Sequence, residues 1–582
     1  MGASRRAGKA EGSRSSALGY HPRSHWLLMP VAAAVLAVIA ARAAAPSPPS
    51  QAATSVLTAT VGPRQGTWTR SFNPFRSDAD ARWPTWAGIH EPLMIFNRAT
   101  GAITPWLATG YTWSADNLKL RFALRSGVRW SDGQPFTARD VVFTFDLMRR
   151  FPALDHDVVW SFLAGVAAPD THSVEFTLKR PYTPGVPYIG EQAIVAEHKW
   201  KGIADPVAFD DPSPTGTGPF VEVRRFEPKV YELARNKLYW QPGKPAVDVL
   251  RVPLYRSNAE IVRALIANEV DWVSLFFPDI EKEWVAKDPA RHQYWYPDSG
   301  PTVLLYLNTR QKPFDERTVR KALSMAIDRP RITREALNGY APPADATGLA
   351  ESQKRWKDPA LAGEPWTSRD VAAANRLLDS VGLARGSDGI RVAPGAGAMR
   401  YALNVVQGWT DWIAAAEIMR QNLAEIGIAA SVKALDYNSW DESLRRGQFE
   451  SSMGFGSRGP TPYEFYRGQM DPDLVRPLGE RADVNFHRFG EPEAARILRR
   501  LEATSNAEET AALMAALQRR FVENAPSIPL FIGPQWGVYN TARVTGFPSR
   551  FRPYASPVPT GSPRGAFPAP DSLPVLLEVK PR

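Results

Sequence analysis

Tryptophan and polar side chains follow the ends of several predicted strands. In "GWTDW" (408–412), Asp411 lies between Trp409 and Trp412, after the predicted strand "YALNVVQ" (401–407) and before a helix. The other candidates in such loops are Trp68, Asn73 and Trp83 after strand 55–61, Arg458 and Tyr463 after strand 451–456, and Trp536 after the strand "SIPLFI". In open α/β sheets, ligands bind beyond the carboxyl ends of strands, where loops lead into helices. We therefore predict that these nine side chains line a ligand site.

The chemistry of this set suits a sugar ring. The chain holds 19 Trp, 17 Tyr and 26 Phe. Sugar C–H faces stack on indole, while the hydroxyl groups need a few placed donors and acceptors such as Asp, Asn and Arg. Core packing is the alternative for each single tryptophan, because aromatic side chains bury large areas wherever they lie.

Residue types and spacing give no positive sign of catalysis. The eight histidines form no metal-binding pair, and neither a nucleophile elbow nor a phosphate-binding or dinucleotide-binding loop occurs. Cysteine is absent, which excludes disulfides, thiolate metal sites, a cysteine nucleophile and a lipid on an N-terminal cysteine. We predict no enzyme, no metal and no cofactor. With 60 Asp and Glu, a secreted glycosidase stays a remote alternative.

Strands and helices alternate along the chain and must position these loops. The clearest unit is strand 401–407, helix 413–426 and strand 429–435, which predicts parallel strands covered by helices. Further predictions are strands at 55–61 and 301–308, and amphipathic helices at 257–272 and 314–329.

The N-terminus is typical of an export signal. A basic stretch precedes the apolar run "WLLMPVAAAVLAVIAA" (26–41), and Ala41-Arg42-Ala43 is the predicted cleavage site. We assign 1–45 to the signal peptide and 46–53 to a linker; an uncleaved membrane anchor is the alternative. At 582 residues, with 44% hydrophobic and 22% charged residues, the rest is predicted to form two or more globular units. The net charge of +10 includes no block of like charges, so nucleic-acid binding is not expected.

Five stretches resemble extracytoplasmic solute-binding proteins of family 5, the dipeptide, oligopeptide and nickel class that serves ABC importers. They are "LRSGVRWSDGQPFTARDVVFTF", "SPTGTGPF", "LARNKLYWQPGKPAVD", "YLNTRQKPFDERTVRKALSMAIDR" and "ENAPSIPLF". The resemblance implies a two-lobed α/β fold of the type II periplasmic-binding-protein kind, from the large cluster with an extra subdomain. It further implies mostly parallel sheets flanked by helices.

The implied organisation has two crossings between lobes. Lobe I is expected at 54–305 with a subdomain inserted near 92–215, lobe II at 306–519, and a return to lobe I at 520–582. The implied role is a periplasmic monomer, without a lipid anchor, that closes on a ligand and docks on the permease subunits of an ABC importer at the inner membrane.

The ligand class follows from finer matches. "FNPF", "FPDIEK", "PADATGLA", "GWTDW" and "GPTPYEFYRG" resemble the branch that binds β-linked gluco- and manno-oligosaccharides. Peptide-binding relatives carry an Asp just after the strand that matches 451–456, where this chain has Ser457 and Arg458. A cation there would repel a peptide ammonium, which favours an oligosaccharide. Peptide binding stays open, with Asp411 as a substitute anchor.

The best-matching stretch, residues 125–147, is expected to be scaffold. Thr137 and Asp140 have the spacing of a helix capping box. We predict that Trp130 packs inside the subdomain and does not stack on ligand.

Overall fold

The computed structural model describes residues 54–63, 66–76, 88–457, 459–561, 563–564 and 567–582. Its strands are, in chain order, β1 (Val56–Thr60), β2 (Met94–Asn97), β3 (Ala102–Pro105), β4 (Ala108–Trp113), β5 (Lys119–Leu124), β6 (Leu163–Asp170), β7 (Ser173–Leu178), β8 (Phe220–Glu227), β9 (Val230–Arg235), β10 (Val249–Pro253), β11 (Trp272–Ser274), β12 (His292–Trp295), β13 (Thr302–Leu307), β14 (Val392–Ala393), β15 (Gly397–Ala398), β16 (Arg400–Val406), β17 (Ala429–Leu435), β18 (Ser451–Phe455), β19 (Ile528–Ile532), β20 (Gly537–Asn540), β21 (Val544–Thr545), β22 (Pro563–Arg564), β23 (Phe567–Pro568) and β24 (Lys580–Pro581). The predicted signal peptide and linker lie outside the described residues.

The α-helices of the described residues are α1 (Ala138–Arg150), α2 (Val186–Gly190), α3 (Glu197–Trp200), α4 (Asn258–Ile266), α5 (Ile280–Glu283), α6 (Arg317–Ala326), α7 (Arg329–Arg331), α8 (Pro359–Ala362), α9 (Val371–Ser380), α10 (Thr410–Glu425), α11 (Tyr437–Arg446), α12 (Tyr463–Met470), α13 (Pro492–Ala503), α14 (Ala507–Asn524) and α15 (Leu573–Glu578). No helix in this part of the chain is long and apolar enough to span a membrane.

A seven-stranded sheet is built around β1. Its order is β12-β20-β11-β1-β10-β9-β8, and β1 pairs in parallel with β10 and β11. The outer strands are antiparallel to their neighbours. The sheet buries Leu57, Ala59 and Leu250 completely, which matches the apolar composition of the central strands.

The second large sheet has five strands, in the order β17-β16-β18-β13-β19. β16 is parallel to β17 and to β18, whereas β13 is antiparallel to β18 and β19. The predicted unit of strand 401–407, helix 413–426 and strand 429–435 is therefore confirmed as β16, α10 and β17. The structure corrects one detail of the predicted fold, the mostly parallel sheets: among the described strands, the parallel pairs are β1 with β10 and β11, and β16 with β17 and β18.

The chain passes twice between the two sheets. β12 and β20 belong to the first sheet, and β13 and β19 to the second, so the connections are 296–301 and 533–536. These connections touch each other: Gly533 N donates to Pro301 O at 3.0 Å, and Gln535 N to Pro297 O at 3.1 Å. A Cβ on Gly300 would lie 2.0 Å from Gly533 O, so glycine is required at that approach. The lobe boundaries placed at 305 and 520 stay predictions; strand membership puts the connections at 296–301 and 533–536.

A four-stranded antiparallel sheet, β4-β5-β7-β6, forms the inserted region together with α1. Trp130 is completely buried there, with ring contacts to Phe136 and His198. Thr137 and Asp140 form the predicted capping box, in which Thr137 N donates to Asp140 Oδ2 at 2.9 Å. The prediction that this stretch is scaffold is consistent with these contacts.

One helix prediction was too long. The pattern at 257–272 predicts a single helix, but α4 ends at Ile266 and β11 begins at Trp272. Asn268 has φ 59°, a left-handed conformation that stops a helix, and Asn tolerates it better than most residues. The apolar residues after it belong to the first sheet.

Candidate functional site

Three strand ends meet at one edge of the five-stranded sheet. Because β16 is parallel to β17 and β18, the residues after Val406, Leu435 and Phe455 leave the sheet on the same side. Each of these ends carries aromatic residues: the first leads to Trp409, the second to Tyr437, and the third ends on Phe455 itself. Parallel pairing therefore gathers ring systems from three separate parts of the chain.

We refer to these side chains as the Trp409 group, which consists of Trp409, Trp412, Tyr437, Trp440 and Phe455. Trp409 and Trp412 meet edge to face with ring centroids 4.9 Å apart, and Trp412 lies 4.9 Å from Phe455. Trp409 also lies 6.2 Å from Tyr437 and 6.1 Å from Trp440. Trp412 and Trp440 are each 3% exposed, Trp409 is half-buried and Tyr437 is 54% exposed. The group thus has a packed base and an accessible outer surface.

Sequence reasoning identified Trp409 and Trp412 but missed the other members. "DYNSW" (436–440) follows β17 in the same way as "GWTDW" follows β16, so the same strand-end rule would have found Tyr437 and Trp440. Trp440 Nε1 donates to Met453 O at 3.1 Å, which fixes its ring against β18.

Asp411 lies in the first turn of α10, between the two tryptophans. Its side chain is buried, and burial raises its pKa to about 6, partly offset by hydrogen bonds from backbone N–H groups. Among the described residues, no Lys, Arg or His comes within ion-pair distance of Asp411. A buried carboxyl group without a cationic partner is a candidate for binding a ligand donor or cation.

A second aromatic group occupies the matching edge of the seven-stranded sheet. β11 and β12 end there and β20 begins there, so Phe276, Tyr296 and Trp536 converge. Trp536 lies 5.1 Å from Phe276 and 4.8 Å from Tyr296, edge to face in both cases. Tyr340 completes this Trp536 group, with its ring 5.4 Å from Tyr296. Trp536 is half-buried, in the connection between β19 and β20.

Tyr463 joins α12 to the inserted region. Its buried hydroxyl donates to Glu502 Oε1 at 2.7 Å and lies 3.3 Å from the Tyr182 hydroxyl. Arg180 also binds Glu502, with 2.5 Å between Nη1 and Oε2. The inserted region and the second sheet's helices are therefore tied together through one buried carboxylate.

Glu464, the next residue, was not predicted. Burial raises its pKa to about 7, although Arg98 and Arg467 act to lower it. Its Oε2 atom is buried, and no described residue hydrogen-bonds to it. No sequence signal marks Glu464, since its neighbour Arg98 is more than 350 residues away in the chain.

The remaining predicted residues lie elsewhere. Asn73 is completely buried, and its amide donates to Pro206 O at 3.0 Å and to Phe209 O at 2.6 Å, while its Oδ1 accepts from Phe75 N at 2.8 Å. Trp68 is buried edge-to-face against Tyr231, with centroids 5.2 Å apart. Trp83 and Arg458 lie outside the described residues.

Two histidines of the described part of the chain, His90 and His487, are completely buried. Burial lowers the pKa of His487 to about 3 and that of His90 to about 4, so both imidazoles are neutral. His487 Nε2 lies 3.0 Å from Gln469 O. Within the described ranges, no group of three or more His, Cys, Asp or Glu residues could hold a metal ion.

A family model of bacterial extracellular solute-binding proteins, family 5 (Middle), matches residues 102–473. The chain belongs to this family. The predicted family is thereby confirmed, and so is the two-lobed α/β fold class.

Two curated relatives of this solute-binding protein carry peptide names. Di/tripeptide-binding protein 2 of Pseudomonas aeruginosa is 24% identical over 475 residues, which cover 76% of this chain and 83% of the relative. The glutathione-binding protein of Salmonella typhi is 26% identical over 407 residues, covering 64% of this chain and 74% of the relative.

Solved structures support the fold of this solute-binding protein. The periplasmic oligopeptide-binding protein of the Thermotoga maritima oligopeptide ABC transporter superposes with a TM-score of 0.82 at 23% identity, covering 91% of this chain and 100% of that one. A second structure of that protein, with mannohexaose bound, gives a TM-score of 0.79 at 23% identity, covering 91% of this chain and 99% of that one.

Proposed function

We propose that this protein is the periplasmic substrate-binding component of an ABC importer. In this proposal it captures a small, β-linked oligosaccharide by closing its two lobes and delivers the sugar to membrane permease subunits. The observation that carries the proposal is the Trp409 group, five aromatic rings gathered by three parallel strand ends.

The ring arrangement suits a neutral sugar. Trp412 and Trp440 form a buried base that holds the half-buried Trp409 in place, so its exposed face is rigid before ligand arrives. A preorganised ring loses little side-chain entropy on binding. No described residue accepts a hydrogen bond from Nε1 of the half-buried Trp409, which leaves this donor for a sugar hydroxyl.

Lobe closure has a structural basis in the two connections between the sheets. The segments 296–301 and 533–536 are hydrogen-bonded to each other and carry two members of the Trp536 group, Tyr296 and Trp536. A change in the angle between lobes therefore moves the Trp536 group relative to the Trp409 group. A ligand that contacts both groups would favour the closed state by its differential affinity.

The second candidate is a di- or oligopeptide. It is favoured by Asp411, a buried carboxyl group without a described cationic partner, which could pair with a peptide ammonium. The names of the curated relatives point the same way. An ammonium would restore the charge pairing that Asp411 lacks, whereas a sugar hydroxyl would supply only a hydrogen bond.

Calorimetric titration of the mature chain, residues 46–582, separates these candidates. Cellobiose, mannobiose and a mixed tripeptide pool are titrated into the wild type, Trp409→Ala and Asp411→Asn. The proposal expects saturable heat with a disaccharide, weakened in Trp409→Ala by about 1–3 kcal/mol of binding free energy. Heat only with tripeptides, lost in Asp411→Asn, would replace the sugar with a peptide.

The same samples test for catalysis. After several hours with cellobiose, chromatography should show no released glucose, because the proposed role breaks no bond. Glucose release above a protein-free blank would instead support the glycosidase alternative.

A further inference from the structure

An open pocket of about 880 Å³ lies beside Trp240, between the inserted region and the loop after β9. Its walls include Trp106, Arg125, Ser126 and Gln241. All of its lining residues fall within 104–126 and 240–244, so it contains no member of the Trp409 or Trp536 groups. The volume is that of a small-molecule site.

One buried carboxylate locks the aromatic wall of this pocket. Glu91 is completely buried and accepts hydrogen bonds from Trp106 Nε1 at 2.7 Å, Tyr239 Oη at 2.9 Å and Trp240 Nε1 at 3.1 Å. The two indoles meet edge to face with centroids 5.8 Å apart. Because both N–H groups point inward to Glu91, the carbon edges and faces of the rings are left to form the wall.

Arg125 is held over this wall in one orientation. Its guanidinium carbon lies 4.4 Å from the centroid of the Trp240 ring, and its Nε donates to Trp106 O at 2.9 Å. Among the described residues, none accepts a hydrogen bond from Nη1 or Nη2 of Arg125, and no carboxylate pairs with it. A stacked guanidinium with its Nε occupied presents its two remaining NH2 groups, Nη1 and Nη2, as a rigid fork that matches a carboxylate.

The surroundings of the fork are polar, and the other cation of the wall is paired. Lys244 Nζ lies 3.1 Å from Glu578 Oε1, a carboxylate that also pairs with Arg552, and Nζ donates to Leu577 O at 2.7 Å. The exposed hydroxyl of Ser126 and the amide of Gln241 add groups that suit hydroxylated ligands. Arg125 is therefore the charge that would select the ligand.

We propose that this pocket is a second ligand site, which binds a small hydroxylated carboxylate such as a sugar acid through the Nη1/Nη2 fork of Arg125. The site is independent of the proposed sugar site at the Trp409 group. It would let the protein respond to an acidic solute without occupying the importer's transport site.

D-Glucuronate is the probe, and D-glucose is its neutral counterpart. Calorimetric titration of the mature chain should show saturable binding of glucuronate but not of glucose. Arg125→Gln should weaken glucuronate binding by about 10- to 100-fold, because it removes a charged two-pronged contact. Arg125→Lys keeps the charge but not the fork, so it should lie between the wild type and Arg125→Gln.

Three controls keep the test decisive. Arg129→Gln changes an exposed arginine outside the pocket, whose Nη1 donates to Gly133 O at 2.9 Å, and should leave binding unchanged. Ser126→Glu adds a carboxylate at an exposed wall position and should abolish binding even if Arg125→Gln folds poorly. Trp409→Ala should retain glucuronate binding. The proposal is overturned if glucuronate does not bind, if Arg125→Gln binds it equally, or if Trp409→Ala loses it.

Discussion

Two pairs of tryptophans in this protein lie next to a carboxyl group, but only one of the pairs is hydrogen-bonded to it. Trp106 and Trp240 both donate their indole N–H groups to the buried Glu91. Trp409 and Trp412 flank Asp411 along the start of α10, yet no described residue accepts a hydrogen bond from their Nε1 atoms. Both pairs meet edge to face at similar ring separations, so ring geometry alone does not distinguish them.

The difference concerns what each pair is free to bind. Both indole N–H groups of the first pair are hydrogen-bonded to Glu91, so its rings can only pack. They line the pocket beside Trp240 and connect the inserted region to the loop after β9. The second pair keeps its donors and has one accessible indole face, which is the combination that a sugar requires. The partners of the N–H groups therefore indicate, as much as exposure does, whether a tryptophan pair has a structural or a ligand-binding role.

Removing the carboxylate of the first pair should have the largest effect. Glu91→Ala leaves the buried donors of Trp106, Trp240 and Tyr239 unsatisfied, and should lower the free energy of unfolding by about 4 kcal/mol. Urea denaturation followed by circular dichroism measures this loss. Glu91→Gln keeps one acceptor oxygen and should lose clearly less. An unchanged midpoint in Glu91→Ala would show that the three hydrogen bonds do not stabilise this connection.

Burial raises the pKa of both carboxyl groups, that of Glu91 to about 7 and that of Asp411 to about 6, but only Glu91 accepts hydrogen bonds from the indoles. Replacing Asp411 with a neutral amide should therefore raise the free energy of unfolding at neutral pH, whereas removing Glu91 lowers it. Burial raises the pKa of Asp411 in the folded protein to about 6, above its ordinary value of 3.8. Its contribution to stability is therefore complete below pH 3.8 and is lost as the pH rises through 6. Asp411→Asn should match the wild type near pH 4 and be more stable by about 3 kcal/mol at pH 7.5.

Urea titrations of both proteins at several pH values measure this difference. A stability gap between Asp411→Asn and the wild type that does not change from pH 4 to pH 7.5 would mean that the Asp411 pKa is not raised by folding.

A matched pair of substitutions sharpens the comparison within the Trp409 group. Trp440→Phe removes the hydrogen bond from Nε1 to Met453 O and part of a buried ring, and should cost about 1–2 kcal/mol of unfolding free energy. Trp409→Phe should cost less than about 0.5 kcal/mol, because the Trp409 ring is half-buried and its N–H has no described acceptor. Equal losses in thermal unfolding would show that Trp409 is a structural residue like Trp440.

The smallest effect is expected far from both pairs. Thr137→Ala breaks the capping box at the start of α1 and should lower the unfolding free energy by about 1 kcal/mol. Ligand affinity in calorimetric titration should not change. A clear loss of affinity would mean that residues 125–147 contribute to the ligand site and are not only scaffold.

Local patterns were sufficient for much of the fold. Apolar strands, the helix at 410–425 and its flanking parallel strands, and the capping box at Thr137 all follow from neighbouring residues in the chain. The family motifs were equally readable, because they are continuous stretches. The helix predicted at 257–272 was too long because the pairing of Trp272 with β1 and β20, at distant positions in the chain, decides that segment.

Only part of the candidate site could be predicted from the sequence. "GWTDW" showed Trp409, Asp411 and Trp412 because a strand end marks them, whereas the partners that make them a group come from other strand ends. Asn73 carried the same strand-end signal, yet its amide is fully occupied by backbone carbonyl groups more than 130 residues away. Whether a polar side chain is occupied depends on contacts that no local pattern contains.

The sequence by itself determined the family, the export signal prediction, the absence of cysteine chemistry and the order of strands and helices, because these depend on composition and on short-range periodicity. Only the tertiary structure decided which aromatic residues gather and which carboxyl group serves which tryptophans. Glu91 contacts Trp106 and Trp240, and Trp409 contacts Phe455, because sheet pairing brings distant segments together. Such contacts are set by the packing of whole strands, and their energies depend on burial, which a side chain acquires only in the folded chain.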